Sequence, residues 1–365
     1  MEVLTSVLWF ALGLFPLVLV LDSALRTFVL PRRAAPVITR GVFVGVRWVF
    51  NRIAGRFTTY AARDRVMALY APVGLLILPL MWLVMIVFGF TAIFHALGVD
   101  GFVRAFEMSG SSLLTLGFVR PPDLPTNLVS FIEAATGLGV LALLISYLPT
   151  IYSAFSRREA LVAQLSVRAG DPPSGVQILT NAQRMERFSL LDDLWVSWQQ
   201  WFAEVDETHS SLGMLSFFRS PVPDRSWVTA AGAVLDAAAL RQASVDLPSD
   251  PQAALCIRGG FFALRSLATV FDIPFDPDAT SDDEISISED EFVEALDQLV
   301  AAGVPVRADR ADAWVQFRGW RVNYDRPLVG LAGFVMAPYA LWSSDRSLAY
   351  RRPRFRTRNQ RRDKA

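Results

Sequence analysis

Three uninterrupted apolar segments in the first 155 residues constrain this chain more than any other feature. They run from Val3 to Leu21 (with a possible continuation past Asp22 to Leu30), from Tyr70 to Leu97, and from Leu128 to Ile151. Each is long enough to cross a bilayer, which takes about 20 predominantly apolar residues. Lipid offers the backbone no hydrogen-bond partner, so such segments must be helices. The remaining residues, 156–365, mix charged and apolar side chains as a soluble domain does, so the 53% hydrophobic content is an average of two regimes.

Arginines orient the spans, because cytoplasmic loops collect positive charge. Between the first two spans lie Arg26, Arg32, Arg33, Arg40, Arg47, Arg52, Arg56, Arg63 and Arg65, against Asp64 alone. That loop is expected inside. Asp100, Arg104, Glu107, Arg120 and Asp123, between spans two and three, carry no cationic excess and are expected outside. Arg157 and Arg158 return the chain to the inside. The expected topology is a multi-pass plasma-membrane protein with its amino terminus outside and its large carboxy-terminal part cytoplasmic. A cleaved signal peptide is the competing reading of the first segment. Its amino end has Glu2 and no cationic residue, and cleavage near Ala24 would strand the arginine loop outside.

Residues 41–57 repeat apolar groups at Val42, Val46, Val49, Phe50, Ile53 and Phe57, with Arg47, Arg52 and Arg56 between them. The spacing is helical. It fits a helix in the cytoplasmic membrane interface or one packed on the cytosolic domain.

The segment between spans two and three has its own pattern. Phe102 to Leu114 reads as a short helix, followed by Thr115-Leu116-Gly117-Phe118 in extended form. Non-helical backbone at membrane depth needs protein or a wet cavity around it. Four copies around one axis would supply that, with the carbonyls of these four residues replacing the water shell of a cation. Glycine gives the backbone freedom there. The carboxy ends of the short helices, partially negative, would point toward the ion.

Residues 70–155 thereby resemble the two-helix pore of the potassium-channel superfamily, in the form of a bacterial potassium-channel-family membrane protein with a divergent filter. The family filter reads Thr-[Val/Ile]-Gly-[Tyr/Phe]-Gly, usually followed by Asp. Thr115, Gly117 and Phe118 match; Leu116 is a mild change; Val119 and Arg120 replace the last glycine and the acid. The last glycine of the family turns its carbonyl to the axis, in a conformation costly for the β-branched Val119, so the outermost ion site is expected to be absent or distorted. Four Arg120 charges at the outer mouth would repel cations unless Asp123 neutralises them. The resemblance implies a homotetramer, a permeant monovalent cation of the potassium type and no other cofactor.

The third span carries Ala134, Ala135, Thr136, Gly137, Leu138 and Gly139, a small-residue cluster that permits close packing or a hinge, and Pro149, which frees a carbonyl and favours a kink. Gly137, Gly139 and Pro149 are the candidate inner-helix hinge, with packing alone as the even alternative. Glu133, early in this span, needs a partner; Arg120 of the same or a neighbouring subunit is the candidate.

The expected fold class is an all-α membrane protein: three transmembrane helices, a re-entrant pore helix between the second and third, and an all-α cytoplasmic domain. Its regions are 1–68 (anchor and basic interfacial helix), 69–155 (pore-like hairpin), 156–345 (cytoplasmic domain) and 346–365 (basic tail). Within the cytoplasmic domain, a helix from Ser156 ends at Gly170. Further helices are expected over Ser189–Glu207 (Asp192 placed for a capping box), Val228–Leu240, Ala253–Val270 and Ser288–Ala302, the last with a Ser288/Glu291 capping box and a stop at Gly303 and Pro305. Trp195, Trp198 and Trp201 read as core. Leu328 to Trp342 is short, broken by Pro338, and expected to dock on the cytosolic domain or the membrane face.

The chemistry-bearing residues are few. Cys256 is the lone cysteine, which excludes an internal disulfide framework and a cysteine zinc site. Glu204, Asp206, Glu207 and His209 crowd one helix end and read as solvated rather than metal-binding. Asp276-Pro-Asp278 lacks the sixth-position glycine and twelfth-position acid of a calcium loop. No nucleophile elbow or phosphate loop is present, so an enzyme is not expected. Zero formal net charge does not point to nucleic acid. The basic loop and the tail from Arg346 to Lys364 are expected to meet anionic lipid, at about 1 kcal/mol per charge near the surface. The expected function is a cation channel with a helical cytoplasmic regulatory domain; the alternative is a non-conducting scaffold or sensor that keeps the hairpin.

Overall fold

The computed structural model describes residues 2–28 and 36–349. Leu30, Arg32, Arg33 and the basic tail from residue 350 onward lie outside the described residues. All regular elements among the described residues are helices, and one isolated antiparallel bridge joins Val245 and Val306. The first are α1 (Glu2–Phe28), α2 (Val37–Ala54), α3 (Tyr60–Ala68), α4 (Tyr70–Ala96), α5 (Phe102–Leu113) and α6 (Leu124–Ala169). Next come α7 (Gly175–Arg184), α8 (Leu190–Ser211), α9 (Trp227–Ala243), α10 (Pro251–Val270), α11 (Glu289–Ala301), α12 (Arg310–Arg321) and α13 (Asp325–Val335). Short 3-10 turns occupy Gly213–Phe217 and Ser344–Ala349. The chain forms two compact units, Met1–Ser153 and Ala154–Ala365.

Four helical stretches are long and apolar enough to cross a membrane: Val3–Thr27, Tyr60–Ala96, Leu124–Ala169 and Pro251–Val270. The fourth has the lowest hydropathy, 1.3 against 2.2 to 2.6 for the others. It packs on α8, α9 and α13. Its Ala253, Cys256, Ile257, Leu264 and Leu267 join the core of the second unit.

In the first unit, α1 packs along α4. Glycines at the crossing allow it: a Cβ on Gly89 would lie 2.9 Å from the Gly13 carbonyl oxygen. Small residues at such crossings let backbones approach closely. Polar side chains then tie three helices together. The Trp82 indole donates to Ser23 Oγ at 3.2 Å, and Thr39 Oγ1 lies 3.0 Å from both Ser23 Oγ and Thr27 Oγ1. Thr39 thus fastens α2 to α1, and Tyr70 donates to the Phe43 carbonyl from α4. The helix read from residues 41–57 therefore packs on α1 and α4, with Thr39, Val46 and Ala54 buried.

The second unit is built around α9, every residue of which is buried from Trp227 to Ala243. Ala at seven of its positions keeps the surrounding helices close. Trp195, Trp198 and Trp201 are core residues; the Trp195 indole donates to Asp250 and that of Trp201 to the Arg158 carbonyl. The capping box Ser288/Glu291 forms at α11. The one expected from Ser189 and Asp192 does not: Ser189 is already helical (φ −61°, ψ −18°), so its hydroxyl makes no cap bond. The Leu328–Trp342 segment enters the core of this unit as α13 followed by a left-handed Met336 (φ 55°), with Leu328, Leu331, Ala332 and Trp342 buried.

Candidate functional site

The short helix α5 is amphipathic, and Ala105, Met108, Ser109, Ser111 and Leu113 face inward. It stops in a Schellman arrangement. The Thr115 N–H bonds the Ser112 carbonyl at 3.0 Å, and the Leu116 N–H bonds the Ser111 carbonyl at 2.8 Å. This is the 5→2 and 6→1 pair that satisfies the last carbonyls of a helix. Thr115 occupies the left-handed position (φ 55°) that glycine usually fills. Gly117 is left-handed as well (φ 71°), with its N–H 3.4 Å from the Ser111 carbonyl. The Val119 N–H donates to Ser111 Oγ at 3.2 Å. One buried serine therefore gathers three amides of the loop.

The other half of this backbone is unpaired. Among the described residues no donor meets the carbonyls of Thr115, Leu116, Gly117 or Phe118. All four residues are exposed, Leu116 and Phe118 at 61% and 64%. Four consecutive carbonyls without an intrachain donor thus lie beside the exposed side chains of Leu116 and Phe118. No family model, curated protein or solved structure matches the chain. The site is therefore read on its own geometry.

The extended run expected from Thr115 does not form, because the Schellman stop puts Thr115 and Gly117 in the left-handed region and folds the segment back onto Ser111. Val119 is not left-handed, and its half-buried side chain packs on the core of the first unit and anchors the loop. Within one chain Asp123 makes no ion pair with Arg120. Its carboxylate accepts from the Thr126 hydroxyl at 2.7 Å and the Thr126 N–H at 3.0 Å, capping the start of α6, and these bonds hold it below the usual carboxylate range. Within one chain, Arg120 is exposed and makes no ion pair with Glu133. Glu133 is fully buried and hydrogen-bonds Ser109 on α5, a residue that reading along the chain did not single out.

Gly137 lies against the end of α5, where a Cβ would fall 2.6 Å from the Leu113 carbonyl oxygen. The buried side of α6 repeats at Thr126, Ser130, Glu133, Gly137, Val140 and Tyr147. Ala135, Gly139, Ala142, Ser146 and Pro149 recur on the exposed side. Gly139 has open space around it. Pro149 sits within an unbroken helix, and its neighbours Ser146 and Thr150 turn their hydroxyls back onto the Leu143 and Ser146 carbonyls.

The second unit holds two buried polar centres. His209 is fully buried, contrary to the solvated reading. Its Nε2 lies 3.1 Å from Arg158 Nη1 and its Nδ1 3.1 Å from Thr208 Oγ1. Arg158 only donates, so Nε2 accepts and the ring is neutral. Burial and the Arg158 charge hold its pKa well below the usual histidine value. Arg158 also donates to the Leu215 and Phe218 carbonyls and to Glu159. In the other centre Arg321 pairs with Asp236 and with Asp325 (2.8 Å), and Tyr324 donates to Asp236 at 2.9 Å. Burial opposes the Arg321 charge, and the two carboxylates outweigh it and raise its pKa. Both centres link distant segments by donor–acceptor pairs already filled, so they read as structural.

Proposed function

We propose that the first unit assembles as a homotetramer that conducts a monovalent cation of the potassium type. α1, α4 and the first part of α6 are its three transmembrane helices, and α5 is the re-entrant pore helix. The amino terminus lies outside and the second unit is cytoplasmic. α10 belongs to the folded second unit, because its Arg265 donates to the Asn323 and Pro277 carbonyls and its apolar face fills that core. The observation that carries the reading is the division of hydrogen bonding in residues 115–119. The amides of Thr115, Leu116, Gly117 and Val119 bond α5, and the carbonyls of Thr115, Leu116, Gly117 and Phe118 meet no donor within the chain. Carbonyl rings of this kind replace an ion's hydration shell. The exposed small residues of α6, from Ala135 to Pro149, are the inner-helix surface of the assembly, with Gly139 and Pro149 as points of movement. Gly137 acts by packing against α5. The exposed arginines Arg40 and Arg52 of α2, and Arg56 just after it, meet anionic lipid.

One observation favours a non-conducting scaffold instead: Arg120 is exposed at the end of the loop without Asp123 beside it as a counter-charge. Purified protein in liposomes distinguishes the two. The channel admits thallium and loses that flux in Gly117→Ala, whereas a scaffold admits none in any variant.

A further inference from the structure

Glu133 on α6 has no solvent exposure, and its carboxyl is in hydrogen-bond contact with the Ser109 hydroxyl of α5. The same hydroxyl oxygen lies 3.0 Å from the Val87 carbonyl oxygen of α4, which also accepts from Thr91 Oγ1 at 2.7 Å. A serine hydroxyl has one proton, and a carbonyl only accepts. The Ser109–Val87 contact therefore uses the serine proton. The Ser109–Glu133 contact then joins two oxygens and needs a second proton, which the carboxyl alone can supply.

A second observation agrees. The other carboxyl oxygen, Oε2, is buried with no hydrogen-bond partner. An ionised carboxylate there would be an uncompensated buried charge, whereas the carbonyl of a neutral acid demands far less. The titratable or charged side chains on the two helices packed around it are Tyr70 and His95 on α4 and Arg104 and Glu107 on α5. Asp123 precedes α6. None of them is a hydrogen-bond or ion-pair partner of Glu133.

We propose that Glu133 is a protonated carboxylic acid that donates to Ser109, which donates to the Val87 carbonyl, so that one chain of protons fastens α6 to α5 and α4. The proton assignment stands on this geometry alone; its link to conduction rests on the pore reading above. Removing the proton leaves two acceptors competing for one serine hydrogen, so one of the helix contacts is released. Ser109 lies two residues before Ser111, which holds the amides of Leu116, Gly117 and Val119. Glu133 is thus a positioning residue for the free carbonyls, and the loop loosens at alkaline pH.

Infrared spectroscopy of the full chain in lipid vesicles tests the assignment, with thallium flux measured on the same samples. At pH about 7, well above the ordinary glutamate value of about 4.3, wild type shows the C=O stretch of a buried protonated acid. Glu133→Gln loses that band and Ser109→Ala shifts it; the second variant supplies the readout if the first does not fold. A wild type without the band, or a band that Ser109→Ala leaves in place, overturns the assignment. Wild-type flux falls with rising pH as the band disappears, and Glu133→Gln loses that pH dependence. Flux that ignores loss of the band overturns the positioning role. A band present with no flux at any pH leaves the assignment intact and overturns the pore reading.

Discussion

Ser111 holds Val119: its buried hydroxyl accepts the Val119 N–H at 3.2 Å while its carbonyl accepts the Leu116 N–H at 2.8 Å. One side chain thus decides which way the backbone of residues 115–119 faces. Ser111→Ala leaves the Val119 amide without a partner and is expected to cost about 1–3 kcal/mol of stability. Thermal unfolding in detergent measures it. Thallium flux should fall with it, because the carbonyls lose their common direction.

Thr115 sits in the left-handed region at φ 55°. That conformation costs a non-glycine residue about 1–2 kcal/mol. Thr115→Gly removes the strain, at some cost in unfolded-chain entropy, and should raise stability by up to about 1 kcal/mol. If the threonine hydroxyl serves the cation, the same variant loses flux while it gains stability. A variant that gains stability and keeps its flux would show that Thr115 matters only to the helix stop.

Gly137 and Gly139 separate packing from assembly. Gly137→Ala drives a methyl to 2.6 Å from the Leu113 carbonyl oxygen and should destabilise the first unit by about 1–3 kcal/mol. Gly139 has nothing within 4 Å of an added Cβ in the single chain. Gly139→Ala should leave the fold intact or strengthen α6 by up to about 1 kcal/mol. Gly139→Trp should dissociate the oligomer without unfolding it, which native mass measurement in detergent reads directly.

His209 gives the second unit a pH dependence. Its pKa is lowered from the model-peptide value of 6.5 by burial and by Arg158. Below that value the unfolded chain binds a proton that the native ring refuses, so stability is full above about pH 6.5 and declines as pH falls. Denaturant unfolding followed by tryptophan fluorescence should show this slope, since Trp227 lies 5.0 Å from the His209 ring. His209→Gln should flatten it.

Arg321 joins α12 to α9 and α13 through Asp236 and Asp325, and it donates to the Trp342 carbonyl. Removing one partner from a buried ion pair costs about 3–5 kcal/mol. Arg321→Gln should therefore lower the unfolding midpoint of the second unit and release the segment around Trp342, detected as protease cleavage there.

Much of the helix plan was legible because it rests on local signals. The apolar runs of α1, α4 and α6 needed only length, and α11 carried its capping box and a glycine stop at Gly303. α12 also had a signal, Asp309 capping the Asp312 N–H at 2.9 Å, but a helix rich in Arg and Trp gives a weak apolar repeat. His209 was misread because Glu204, Asp206 and Glu207 surround it in sequence. Helical phase places it instead beneath Phe202 and Val205, on the buried side. The pairing of Ser109 with Glu133 joins residues 24 apart, and that of Arg321 with Asp236 joins residues 85 apart. Such contacts come from tertiary packing, and no local pattern in one sequence announces them.

The most direct test of the account is the position of thallium in the purified assembly, located by its anomalous scattering in crystals of the full chain. The account predicts a symmetric tetramer with thallium on its axis, held between the carbonyls of Thr115, Leu116, Gly117 and Phe118. Thallium absent from that axis, or subunits whose carbonyls at these residues face apart, would contradict it.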